Sequence, residues 1–244
     1  MKPRGPDLGP IAPRSLKVGG VVPFTATDYP GQIAAVVFVQ GCPWRCAYCH
    51  NPHLQPRTRK GAFAWQTVLD LLARRVGLLD AVVFSGGEPT GDPALRQAIR
   101  DVKALGFKVG LHTAGTHPRR LRELLPLVDW VGLDVKAAFC DYADVTRVAS
   151  SGKHALASLE AVQASGVQYE CRTTLHPDLL PESEILKLAQ TLSAMNITNY
   201  ALQVFRTEGC ADDQLNAVSM AGYPDPSLIG RIAALFPAFT LRRA

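Results

Sequence analysis

Short runs of β-branched and aromatic residues alternate with helix-patterned stretches along most of this chain, and no other feature limits its fold as strongly. A strand followed by an amphipathic helix, repeated, returns each strand to one sheet in one direction, with the helices packed on it. Six such strands are expected, over 32–40, 81–84, 107–113, 130–136, 167–175 and 199–206, after a hairpin-like stretch over 16–24. Between them, Trp65, Val68, Leu69, Leu72 and Val76 form an apolar stripe closed by Gly77. Asp92 is placed to cap a second helix, with Pro93 at its first position, Leu95, Ile99 and Val102 inward, and Gly106 at its end. Leu156, Leu159 and Val162 precede Gly166, Ile185, Leu188 and Leu192 follow Pro181, and 225–235 gives a further helix. A βα unit recurs about every 25 to 40 residues, which predicts a barrel or open half-barrel. In such α/β folds ligands bind at the C-terminal ends of the strands.

Size and composition agree with one α/β domain over 16–244, behind a Pro- and Gly-rich flexible tail over 1–15. With 47% hydrophobic and 19% charged residues, the 244-residue chain is neither disordered nor collagen-like. A chain of this size buries roughly 70 to 75% of its unfolded surface, so its Cys residues are not needed as staples. The longest apolar run, 33–39, is far short of the ~20 residues of a membrane span. The charged N-terminus has no apolar segment of a secretory signal, so a cytoplasmic location with reduced thiols is expected. The net charge of +5 is a mild bias. It suits a solvated surface, or attraction for an acidic partner protein or nucleic acid. Arg57, Arg59 and Lys60 are the candidate docking patch.

The densest chemistry follows the first of these strands, where Cys42, Cys46 and Cys49 fall within eight residues, together with Tyr48 and His50. Thiols at this spacing on a short loop can converge on a metal or an iron–sulfur cluster. One alternative is a structural zinc site with His50 as fourth ligand. Against that stands the absence of a second CxxC pair. Three thiolates on a four-iron cluster would leave one iron open to bind and orient a substrate.

This CxxxCxxC arrangement, with Tyr48 before its last Cys, resembles the motif of the radical S-adenosyl-L-methionine (SAM) enzymes. The resemblance implies a [4Fe–4S] cluster held by Cys42, Cys46 and Cys49 as metal ligands and catalytic centre, with SAM as second cofactor and Tyr48 and His50 beside it. Further along, Gly86 and Gly87 could admit a ligand close to the backbone beside the Glu88 carboxylate, or form an ordinary turn. The segment is similar to the family's GGE motif, which implies a hold on the SAM amino group. In the stretch 130–136, Gly132, Asp134 and Lys136 share one strand face and Val131, Leu133 and Val135 the other. Asp134 and Lys136 can meet a zwitterion or pair with each other. They resemble the Asp-x-Lys motif of glycyl-radical activating enzymes, which implies that Lys136 meets the SAM carboxylate. Arg172 joins it by resemblance, or pairs with a neighbour such as Glu170.

Departures matter too. His112-Thr113 stands where pyruvate formate-lyase activators carry Asp-Thr, which puts their monovalent-cation site in doubt. Thr113 can still offer its hydroxyl to SAM, and His112 can be a core histidine. Cys140, Cys171 and Cys210 are isolated, Cys171 reading as a buried small hydrophobe, so a single cluster is expected. The chain resembles most the activating proteins of anaerobic ribonucleoside-triphosphate reductases. That implies a partial (β/α)6 TIM-like barrel, the radical SAM core, and reductive cleavage of SAM to a 5′-deoxyadenosyl radical that makes a glycyl radical on a partner enzyme. The implied partners are the anaerobic ribonucleotide reductase large subunit and, as electron donor, flavodoxin or ferredoxin, with no nucleic acid and no membrane. A pyruvate formate-lyase-type activator, or an enzyme acting on a small molecule or another peptide, is the alternative. With no long insertion to form a lid, a partner's docked loop could complete the wall around the radical.

Overall fold

The computed structural model describes residues 15–243. All of the expected tail except Ser15 lies outside them. Eight strands form one sheet in sequential order: β1 Val18–Thr25, β2 Ala34–Val39, β3 Ala81–Gly86, β4 Lys108–Thr113, β5 Trp130–Asp134, β6 Gln168–Leu175, β7 Asn199–Val204 and β8 Ala238–Arg242. β1 pairs antiparallel with β2, and every later pair is parallel. The hairpin-like stretch is thus one strand folded back along the first parallel one. The sheet curves from β1 to β8 as an open partial barrel in a single-domain α/β fold, and β2 to β7 are the six expected strands. β8 was not foreseen, so the parallel strands number seven among the described residues. It adds an anchor: Arg242 Nη1 and Nη2 donate to both oxygens of the buried Glu170, at 2.7 and 2.9 Å.

Helices α1 Trp65–Ala73, α2 Leu95–Ala104, α3 Pro118–Leu124, α4 Tyr142–Thr146, α5 Ser151–Ser165, α6 Glu182–Ala194, α7 Asp213–Asn216 and α8 Pro226–Ala233 connect the strands. α3, α4 and α7 escaped the sequence reading because seven residues or fewer carry too little periodicity. Two expectations about the other helices need correction. α1 stops at Ala73, so Val76 lies past it and is exposed rather than on the stripe. α2 begins at Leu95 rather than Pro93, although Asp92 Oδ1 still accepts from Ala94 N at 2.9 Å and caps the turn leading into it.

Strand alternation divides the core. Ala35, Val37, Phe84, Leu111, Val131 and Leu133 face the helices in one large cluster. Tyr29, Ala34, Val36, Ala81, Val83 and Trp130 form a smaller cluster on the inner face. Tyr29 stacks on Trp130 at 5.1 Å. Gly110 leaves room for that plug, since a Cβ there would stand 3.1 Å from the Tyr29 ring. One end of the barrel is therefore filled, and the rim where the parallel strands end is left for chemistry.

Candidate active site

The cysteine loop leaves β2 at that rim and is fastened by backbone hydrogen bonds from several directions. Gly41 N donates to Leu54 O (2.7 Å), Cys42 N to Gln55 O (3.0 Å), Arg45 N to Thr146 O (2.9 Å) and Ala47 N to Val145 O (3.2 Å). Trp44 is buried edge-on against Tyr142. Cys42, Cys46 and Cys49 are free, half-buried thiols. Cys46 and Cys49, with Arg45, Gln55, Arg147 and Asp212, line a cavity of about 450 Å³. Burial, and then the nearby Glu88 carboxylate, push the Cys42 thiol up to about 12; burial also raises Cys46. Thiols so disfavoured as free thiolates are stabilised as anions by binding a cation.

The donor set discriminates between the two metal readings. Among the described residues no three His, Cys, Asp or Glu side chains converge tightly enough to hold a single metal ion. His50 turns its Nε2 to the Arg206 carbonyl at 3.0 Å and stacks on Phe205, so it serves as a brace between the loop and the end of β7. Three half-buried sulfurs on one loop, two of them lining a cavity, with no fourth protein ligand beside them among the described residues, fit a body larger than one ion. A [4Fe–4S] cluster is such a body.

The two glycines at the end of β3, Gly86 and Gly87, have their Cβ positions occupied by the chain itself rather than by a ligand. Gly86 has φ +119°, and a Cβ there would strike the Val39 backbone. A Cβ on Gly87 would lie 2.7 Å from Gly41 O and 2.9 Å from Leu54 O. The close approach is that of the chain's own cysteine loop: Gly87 N donates to Val39 O (2.9 Å) and Glu88 N to Gly41 O (2.8 Å). Glu88 is 1% exposed. Its Oε1 accepts from Thr90 N (3.1 Å), Thr90 Oγ1 (2.6 Å) and Thr113 Oγ1 (2.7 Å), and its Oε2 from Ala114 N (3.0 Å). Burial raises its pKa against those four donors. Thr113 is likewise engaged, since its hydroxyl also accepts from Gly115 N (3.0 Å).

On β5 and β6 the charges meet around Asp134. Arg172 Nε and Nη2 donate to Asp134 Oδ1 at 3.0 and 2.8 Å, and Lys136 Nζ lies 3.4 Å from Oδ2. Glu170, the alternative partner for Arg172, belongs to Arg242. Gly132 makes the space: a Cβ there would lie 2.8 Å from the Arg172 guanidinium carbon. Burial opposes the Asp134 charge, but Arg172 and Lys136 override it and hold the carboxyl at about 2. Lys136 is 8% exposed, with Asp134 its one hydrogen-bond partner for three ammonium protons among the described residues. Its Nζ sits 5.3 Å above the Tyr48 ring, whose buried hydroxyl has no hydrogen-bond partner among the described residues. Unfilled donors on Lys136 beside an orphaned phenol mark a place for a polar ligand.

Sequence reasoning missed Tyr142, which accepts from Lys136 N (2.9 Å) and donates to Asp134 O (3.3 Å), fixing the backbone between the two charges. A fully buried Tyr has to find a partner, but nothing in the local pattern says which. It also missed the segment after β7, where Cys210 Sγ lies 3.9 Å from Ala47 O and Gly209 packs on the His50 carbonyl. His112 is a buried core histidine: its Nε2 meets Asp28 O at 2.7 Å and its ring packs edge-on to Trp130. Cys171 is fully buried as expected.

A profile of the Radical SAM superfamily matches residues 36–192, from β2 through most of α6. The chain belongs to the radical SAM superfamily. Members use a [4Fe–4S] cluster and SAM, and the three-cysteine loop is where this chain would hold the cluster. A *Methanocaldococcus jannaschii* protein whose name assigns it to the glycyl-radical enzyme activating enzymes is 31% identical over 223 residues, 88% of this chain and 91% of its own. A *Clostridium pasteurianum* pyruvate formate-lyase-activating enzyme is 33% identical over 75% of this chain and 79% of its own. Among solved folds, *Streptococcus suis* SuiB bound to S-adenosylmethionine superposes with a TM-score of 0.61 at 13% identity. That match covers 84% of this chain and 48% of SuiB.

Proposed function

We propose that this radical SAM chain is an activase that installs a glycyl radical on a partner enzyme, the anaerobic ribonucleoside-triphosphate reductase. What supports an activase is similarity over 88% of the chain to a protein whose name assigns it to the glycyl-radical enzyme activating enzymes, joined to the three-thiol loop beside a buried lysine with free donors; the choice of the reductase as partner rests on the motif resemblance. No helix among the described residues is long and apolar enough to cross a membrane, and free thiols suit the reducing cytoplasm.

Cys42, Cys46 and Cys49 would hold the [4Fe–4S] cluster. Bound there, it would supply the one electron that splits SAM into methionine and the 5′-deoxyadenosyl radical needed to take a hydrogen atom from a glycine Cα of the partner. The chain's own residues bind and orient. Lys136 offers its spare ammonium protons to the SAM carboxylate, and Arg172 keeps Asp134 from claiming them all. Glu88 ties β3 to β4 through Thr113 and Ala114 and keeps one Oε2 lone pair for the SAM ammonium. Tyr48 walls the pocket and excludes water. The open side of the barrel leaves room for a loop of the partner to close it.

The test is anaerobic incubation of reconstituted protein, SAM and a reductant with the reductase large subunit, and in parallel with pyruvate formate-lyase, read by electron paramagnetic resonance. A glycyl-radical doublet on the reductase is expected. A doublet on the lyase alone would move the assignment to that activase class. SAM cleavage with radical on neither, but turnover of a small molecule, would end the activase reading.

A further inference from the structure

The short helix α4 touches both halves of the candidate site. It spans only Tyr142–Thr146, yet its last two carbonyls hold the cysteine loop: Val145 O accepts from Ala47 N at 3.2 Å and Thr146 O from Arg45 N at 2.9 Å. Its first residue, Tyr142, is wholly buried, stacked on Phe139 at 6.0 Å and met edge-on by Trp44 of that loop at 5.8 Å. The helix is itself pinned, since the buried Thr146 Oγ1 donates to Tyr142 O at 2.9 Å and meets Ser151 Oγ at 2.7 Å. The other half of the site is the stretch that leaves β5. The ladder to β6 ends with Asp134 opposite Arg172. Val135 N still reaches Arg172 O (2.8 Å), and Thr173 Oγ1 donates to Val135 O (2.6 Å), but Lys136 N lies past the sheet.

A buried backbone N–H needs an acceptor. The Tyr142 phenol supplies it at 2.9 Å and donates in turn to Asp134 O at 3.3 Å. One hydroxyl thus bridges the backbone on both sides of Val135 and fixes the point from which the Lys136 side chain starts. Burial raises the phenol's pKa, so it keeps the proton it donates. A phenylalanine ring would pack on Trp44 and Phe139 as well and could make neither bond, so the hydroxyl has a use apart from the core. A ligand gripped at one end from the cysteine loop and at the other by the Lys136 ammonium needs the two at a fixed spacing, because a misplacement of about 1 Å can cost on the order of a hundredfold in rate. We propose that Tyr142 is a positioning residue of this site, setting the reach of Lys136 against the cysteine loop so that SAM meets both at once. The inference rests on the reading of Cys42, Cys46 and Cys49 as cluster ligands and of Lys136 as the partner of the SAM carboxylate. Tyr142 acts through Lys136 and through α4, and touches no reacting atom.

The experiment compares cluster-loaded wild type with Tyr142→Phe and, as a control for lost stability, with Tyr223→Phe. The Tyr223 phenol is also buried and donates to Leu180 O at 2.8 Å, just before α6. Each protein is assayed for iron, for Tm and for SAM affinity by equilibrium binding. Electron paramagnetic resonance then records the dithionite-reduced cluster with and without saturating SAM. Tyr142→Phe keeps the ring and its packing, so it should fold and load iron as the wild type does. Its SAM Kd should rise about five- to tenfold, and the kcat of SAM cleavage should fall by about tenfold to a hundredfold. The change that SAM makes in the cluster signal should differ from that of the wild type even at saturation. Tyr223→Phe should lower the Tm and keep the wild-type Kd and signal. A wild-type Kd and signal in Tyr142→Phe would overturn the proposal. So would loss of iron from Tyr142→Phe, which would confine the hydroxyl to shaping the loop, or a Tyr223→Phe variant that moves the SAM measurements as far. Wild type whose cluster signal ignores SAM, or a Lys136→Ala variant that binds SAM normally, would sink the underlying reading of the site, a failure distinct from that of the positioning role.

Discussion

Lys136 separates a structural ion pair from a ligand-binding one. Asp134 already has Arg172 at 2.8 Å, so the 3.4 Å contact with Lys136 is the weaker of its two and leaves the ammonium with protons to spare. Burial works against the lysine's charge, and Tyr48, Asp134 and Cys46 favour it, so that its pKa is raised. Lys136→Ala should therefore leave the fold and the iron content intact. SAM binding should weaken by roughly thirtyfold, the ~2 kcal/mol expected for truncating one partner of a desolvated charge pair. Equilibrium binding of SAM with an iron assay on the same sample checks this, and unchanged affinity would make Lys136 purely structural. The sequence offered Arg172 the SAM carboxylate by resemblance, or Glu170 as a neighbour, but not Asp134. Its partner depended on Gly132, whose missing side chain opens the route across β5 to Asp134.

At the scale of elements, the cysteine loop and the turn after β3 are one unit. Gly87 N, Glu88 N and the absent Cβ of Gly87 bring β3 against Gly41 and Leu54, and this sets where Cys42 emerges from β2. Gly87→Ala would push a methyl group onto two backbone carbonyls, neither of which can rotate away. A cost of about 1–3 kcal/mol is expected for such overpacking. The barrel should survive by circular dichroism with a lowered Tm. Iron retained after reconstitution should fall, because the loop can no longer close. Full iron loading with an unchanged Tm would show that the two segments do not depend on each other. The sequence pointed to the two glycines, but as space for a ligand. Only the fold shows that the space is taken by the loop itself.

For the whole molecule, His112 links the stability of the barrel to pH. Its ring joins β4 to the Asp28 carbonyl and packs on Trp130 over the inner plug. Burial first, and the Arg172 charge next, lower its pKa to about 3, while the Asp28 and Asp134 carboxylates act the other way. The unfolded chain therefore takes up a proton near pH 6.5 that the folded chain refuses. Stability is full above that pH and falls as pH drops through it toward 3. Denaturant unfolding of cluster-free protein should show a loss of about 2 kcal/mol between about pH 6.5 and about pH 5 from this group alone. His112→Gln should flatten that slope, and an equal slope in the variant would place the pH dependence elsewhere. The sequence alone determined the alternating strands and helices, the α/β class and the clustering of the thiols, because each is written in local spacing: period 2, period 3.6, and cysteines separated by three and then two residues. The tertiary structure decided the rest. It set the eighth strand with its Glu170–Arg242 anchor, Arg172 paired to Asp134 rather than to Glu170, Glu88 tied to Thr90 and to the end of β4, and Leu54 and Gln55 folded back on Gly41 and Cys42. Partners brought together from distant parts of a chain leave no periodic trace in it.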